Sequence, residues 1–143
     1  MKRFTQAVCL ILVLSVMLAI PVAAAEITPY ASSYFGSHSC YLYRVSGATF
    51  QVWFDVTAVR TMNEIGASTI KVQRSTDQVN WTTVQTYTKA ANSQMVAANT
   101  FVHASCVTHY GTSGYYYRAL VEFYAKDGSG TGYYSLYTSP MLM

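Results

Sequence analysis

The chain has 143 residues, with nine Lys or Arg against six Asp or Glu, 13 tyrosines and three cysteines. That length fits one ordinary domain able to bury a core without a metal or a disulfide framework, and the charge is too small and too scattered for a phosphate-neutralising face, which argues against nucleic acid as a partner. Few charges and many Tyr, Thr and Ser residues point to β-structure rather than helices.

Residues 1–25 read as a unit of their own. Met1-Lys2-Arg3 is a basic start, residues 7–20 are an apolar run, Pro21 breaks it, and Ala23-Ala24-Ala25 offers the small residues that a signal peptidase accepts. The pattern predicts a cleaved secretory signal. The rival reading is an uncleaved anchor, because residues 7–25 are just long enough to span a bilayer. Cys9 heads the apolar run instead of following it, which argues against a lipoprotein site. Without Lys2 and Arg3 the chain has seven basic and six acidic residues, so the net charge falls from +3 to +1. The expected product is secreted or wall-associated, with no stable membrane insertion after cleavage.

Residues 26–39 are polar, Ser-rich and without period, and read as a lead-in to the domain proper, residues 40–143. Residues 40–45 and 48–59 are strand candidates joined by Ser46-Gly47, a two-residue linker suited to a hairpin. In the second arm Phe50, Val52, Phe54 and Val56 alternate with Gln51, Trp53, Asp55 and Thr57, which marks the buried face. Residues 60–67 break the alternation. There Met62 and Ile65, three apart and followed by Gly66, predict one helical turn capping the core. Residues 68–75 return to strand with Ile70 and Val72 inward and Lys71 and Gln73 outward, residues 75–80 turn, and residues 81–88 run back. Residues 89–99 read as a long connection with a short helical piece near residues 94–98. Residues 100–108 form a fifth strand candidate, and Gly111-Thr112-Ser113-Gly114 turns the chain into its best strand, residues 114–125. On that strand Tyr115, Tyr117, Ala119, Val121, Phe123 and Ala125 share one face, and Tyr116, Arg118, Leu120, Glu122 and Tyr124 the other. Residues 127–130 turn again, and residues 132–138 make a seventh strand.

Seven short strands with no long amphipathic helix predict an all-β fold, a single antiparallel two-sheet sandwich, with a small barrel as the alternative. Two pieces, residues 70–84 and residues 114–121 (GYYYRALV), resemble fibronectin type III and immunoglobulin-like sandwiches. That resemblance implies a tyrosine corner at Tyr115 or Tyr117, whose hydroxyl would satisfy nearby backbone. It departs from the fibronectin pattern in lacking a Pro-rich first strand and an early tryptophan in the second. Residues 49–58 (TFQVWFDVTA), 62–67 (MNEIGA), the turn at residues 75–81 and residues 114–126 carry a further likeness, by which the chain is similar to a family of small secreted proteins of Gram-positive bacteria of unknown function. It implies secretion and brings no catalytic residue.

Cys40 and Cys106 are the two cysteines beyond the signal, and secretion suggests a disulfide. Strand geometry opposes it. If Cys40 and Cys106 flank residues 48–59 on opposite sides, two inter-strand steps hold them about 9 to 10 Å apart, beyond the roughly 7 Å limit between Cα atoms. The pairing stays open at this point. His38, His103 and His109 are too scattered for a metal motif, and neither a phosphate loop nor a nucleophile elbow is present, so no cofactor is expected. The acids fall in turns or at outward strand positions, where a solvated carboxylate is the plain expectation.

The tyrosines alone ask for explanation. Tyr116, Arg118, Glu122 and Tyr124 on the outward face of the best strand, with Tyr133 on its neighbour, form a candidate binding face for a glycan, a wall polymer or a protein. The plainer reading is cross-strand packing on a wet sheet face. The expected function is thus non-catalytic binding outside the cell. The alternatives are a small hydrolase acting on envelope material or a secreted competition factor.

Overall fold

In the computed structural model of the chain, residues 31–143 are described; the expected signal and residues 26–30 of the lead-in lie outside them. A single helical turn, α1 (Ala31–Tyr34), precedes seven strands: β1 (Phe35–Ser46), β2 (Thr49–Ser75), β3 (Thr82–Thr88), β4 (Val96–Tyr110), β5 (Tyr116–Asp127), β6 (Gly130–Tyr137) and β7 (Met141–Leu142). A 3-10 turn, Ser93–Met95, sits just before β4. The fold is all-β, as the composition implies. Every pairing is antiparallel, and all seven strands belong to one sheet.

Where two separate sheets are expected, the hydrogen bonds therefore run through a single curled sheet, and β2 is the reason. Its 27 residues take the place of two expected strands and the helical turn between them. The first half of β2 lies between β1 and β4, and the second half between β5 and β3. The strand turns a corner between these halves. Phe50, Val52, Phe54, Val56, Ala58 and Met62 are buried in one phase, Ile65 and Ala67 in the other, and Ile70 and Val72 return to the first. The second slip coincides with an irregularity in the β5 ladder, between Ala67 and Thr69, and the first lies just past one in the β4 ladder, between Thr57 and Met62. Extra residues of this kind bend a strand and increase its twist. Each slip would otherwise turn the apolar set to solvent, so the bend is what keeps one buried face around one core.

The predicted helical turn at residues 60–67 is thus corrected to a strand corner. Gly66 does not stop a helix there. It pairs with Val96 on one side and Tyr124 on the other, and a Cβ at this position would lie 2.8 Å from the Val96 Cα and closer still to the Met95 carbonyl oxygen. The helical piece expected near residues 94–98 is only the 3-10 turn, whose Met95 is fully buried. β1 begins at Phe35, five residues before the expected start, and the hairpin turn is Gly47-Ala48, with Gly47 at φ +53°.

The core is aromatic at its centre. Phe50, Phe54, Tyr117 and Phe123 are almost fully buried, with the Phe50 and Tyr117 ring centroids 5.1 Å apart. Burying side chains of this size contributes about 1.5 to 3 kcal/mol each. The Tyr117 hydroxyl accepts the Thr112 N–H at 2.8 Å, the backbone-satisfying role expected of a tyrosine at Tyr115 or Tyr117. The curl brings distant strands together at two seams. At one, Cys40 Sγ approaches the Leu136 carbonyl oxygen at 3.7 Å and the His38 ring lies 4.1 Å from Tyr134. At the other, the Tyr87 hydroxyl donates to the Thr108 carbonyl at 2.9 Å. The Tyr87 hydroxyl oxygen also lies 3.2 Å from His109 Nδ1, so a proton on Nδ1 lets the hydroxyl accept there while it donates to Thr108. Burial holds the His109 pKa below its ordinary value, consistent with a neutral ring at this seam.

Candidate functional site

The outward face of β5 runs Tyr116, Arg118, Leu120, Glu122 and Tyr124, and the ladders fix what stands on either side. Arg118 pairs with Gln73, Leu120 with Lys71 and Tyr137, Glu122 with Thr69 and Ser135, and Tyr124 with Gly66 and Tyr133. Strand alternation puts all of these on one side of the sheet. The face is therefore built by β2, β5 and β6 together, with the turn before β3 and the residue after it closing its two ends.

At one end the Arg118 guanidinium carbon lies 4.3 Å from the Trp81 ring centroid and 4.3 Å from that of Tyr137, and its Nε donates to Gln73 Oε1 at 2.8 Å. Trp81 is held in place by the turn that precedes it. Its indole N–H donates to the Gln78 carbonyl at 3.0 Å, while Asp77 Oδ1 accepts the N–H groups of Val79 and Asn80 and the Ser75 hydroxyl. The Asn80 backbone and side-chain N–H groups, then Ser75 and Val79, hold the Asp77 carboxyl far below the usual range. At the other end Lys89 Nζ sits 3.7 Å from the Tyr124 ring centroid and pairs with Glu64, and the Tyr133 ring centroid is 5.5 Å from that of Tyr124. Burial opposes the Lys89 charge, but hydrogen bonds to Glu64 and Tyr124 outweigh it and raise the pKa. Arg118 and Tyr124 are six residues apart, about 20 Å along the strand. Between the two stacks is a shallow depression of ≈ 60 Å³ lined by Thr69, Lys71, Leu120, Glu122 and Ser135. The Ser68 hydroxyl donates to the Glu122 carboxylate and so fixes its position.

The five expected ligand residues thus share a face but not a role. Glu122 lines the depression, Arg118 stands on the same face beyond one end of it, and Tyr133 is 52% exposed on the neighbouring strand. Tyr124, expected outward and open, is only 5% exposed, because Lys89 and Tyr133 cover its ring. Tyr116 stands at the end of the sheet, half-buried between Ser75 and Leu142, away from the depression. Tyr134 belongs to the inward phase and meets His38. Sequence reasoning missed Trp81 and Lys89, which reach the face from outside β5 and its neighbour. Their only signal is position, one opening and one closing the strand that pairs with residues 69–74.

Cys40 and Cys106 are free thiols. Cys40 pairs with Phe54 on the inward face, whereas Cys106 pairs with Trp53 on the outward face, so β2 and the sheet itself stand between them. A second exposed aromatic group, Tyr41, Tyr43 and Tyr110, lies on the outward side of β1 and β4 and was not anticipated. Among the described residues no three His, Cys, Asp or Glu side chains gather as a metal site, and no helix is long and apolar enough to cross a membrane. No protein-family model, curated protein or solved structure matches the chain.

Proposed function

We propose that this chain is a secreted or wall-associated, non-catalytic β-domain that binds an extracellular glycan, wall polymer or protein through the outward face of β2, β5 and β6. The observation that carries this reading is the depression between the Trp81–Arg118–Tyr137 stack and the Lys89–Tyr124–Tyr133 stack. Flat aromatic surface at both ends and fixed polar groups between them suit a ligand that is long, partly apolar on its faces and hydroxylated at its edges. Secretion rests on the N-terminal pattern, and the sandwich likeness of residues 70–84 and 114–121 supports a module of the kind used outside cells.

The test is retention of the purified domain on insoluble cell wall and on immobilised glycans. Wild type is expected to be retained. Tyr133→Ser with Tyr137→Ser, both at exposed positions that leave the core intact, is expected to weaken retention at least tenfold. Wild type washing through with buffer, or equal retention of the double variant, would sink the proposal.

A further inference from the structure

The geometry points to an anionic saccharide chain as the ligand of this face, with its phosphate or carboxylate seated on Arg118 and Lys71; this rests on the binding reading just given. Two rings pack against the Arg118 guanidinium and its Nε is bound to Gln73, yet among the described residues its two terminal nitrogens have no hydrogen-bond partner. What is left open is the planar two-nitrogen edge that matches a carboxylate or phosphate bidentately. An arginine loses rotamer freedom when it is fixed, and here the two rings and Gln73 have already fixed it.

The neighbouring charges point the same way. Lys71, exposed and two residues along from Gln73 on the same face, has no carboxylate partner among the described residues, whose ion pairs are Arg60 with Asp127 and Lys89 with Glu64. The acids nearest this end are already engaged: Asp77 by its own turn, Glu122 by Ser68. Glu122 remains an acceptor beside the hydroxyls of Thr69 and Ser135, so hydroxyl groups are met in the middle of the depression and negative charge at its Arg118 end. A bare polyanion would leave Glu122 facing like charge. A neutral sugar would leave the Arg118 edge and Lys71 unused. A charged saccharide satisfies both.

The test is titration by calorimetry of the purified domain with chains of matched length: a neutral glucan, an oligogalacturonate, a poly(glycerol phosphate), and polyphosphate as the bare anion. One or both of the anionic polyhydroxyl chains are expected to bind at least tenfold more tightly than glucan and polyphosphate, and the two arms identify whether carboxylate or phosphate is read. Arg118→Gln is expected to cost about ten- to a hundredfold, the range for a lost charge-assisted pair. Arg118→Lys recovers only part of that, Lys71→Gln lowers the salt dependence, and Tyr41→Ser/Tyr43→Ser on the other face changes nothing. Circular dichroism and Tm confirm that each variant is folded. If glucan binds as tightly as the anionic chains, or Arg118→Gln is silent, the anionic assignment falls while binding by this face stands. If polyphosphate binds best, the saccharide assignment falls. If no chain binds and the wall does not retain the domain, both proposals fall.

Discussion

At the scale of single residues the two thiols show how one curled sheet gives like groups unlike chemistry. Cys40 lies against the core at the seam with β6, and burial, reinforced by the negative charge of Asp55, pushes its thiol up to about 11. Cys106 on the outward face is raised as well, by burial alone. The reactive species is the thiolate, whose fraction below the pKa falls about tenfold per pH unit, so at pH 8 Cys106 is expected to alkylate first and Cys40 much more slowly. Because the folded pKa of Cys40 is raised, its rate should keep climbing between pH 8 and 10 without a plateau. Mass spectrometry of the native protein, without reductant, would follow both additions. Cys40 reacting first, or no addition until a reductant is supplied, would contradict this arrangement. The positions were legible in sequence as two strands apart, but the opposite faces were not, because they depend on a register that the Gly47-Ala48 turn and the irregularity near Arg44 set by one residue.

At the scale of elements the corner of β2 decides the fold. It is made where β4, the 3-10 turn and β5 all press on residues 64–66, and Gly66 is there because the Met95 and Val96 backbone leaves no room for a side chain. Gly66→Ala is expected to destabilise the domain by about 2 to 3 kcal/mol, the upper part of the range for single substitutions, as backbone must move to admit the methyl group. Gly128→Ala, in an exposed turn with open space around the added carbon, is the matched control and should stay within about 0.5 kcal/mol of wild type. Urea unfolding measures both, and a Gly66→Ala variant as stable as the control would show that the corner relaxes freely. In sequence this corner looked like a helical turn because a phase slip in a strand and a three-residue helical spacing place Met62 and Ile65 alike. Only the pairing partners on both sides distinguish the two.

At the scale of the whole molecule, one strand shared by both halves of the sheet couples them. Trp53 reports on the half built by β1, the start of β2 and β4; Trp81 reports on the half built by β3, the end of β2, β5 and β6. Neither half can lose β2 without exposing the common core of Phe50, Phe54, Tyr117 and Phe123. The urea transitions of Trp81→Phe, read by Trp53, and of Trp53→Phe, read by Trp81, are therefore each expected to coincide with the far-UV circular dichroism transition of the same variant, as a single cooperative unit requires. A fluorescence midpoint clearly displaced from the dichroism in either variant would mean two units joined by a strand rather than one.

The amino-acid sequence by itself determined the class of the fold, most strand positions, the buried face of residues 50–56 and 114–125, and the shared outward face of Arg118, Glu122, Tyr124 and Tyr133. All of these follow from period-two alternation, a local property that each strand carries alone. The tertiary structure decided the rest: that β2 is continuous, that the sheet is one, that Tyr124 is covered, and that Trp81 and Tyr137 clamp Arg118. These depend on which strands become neighbours, and neighbours are chosen by the packing of the whole apolar set around one core, a condition that no single stretch of the chain can express.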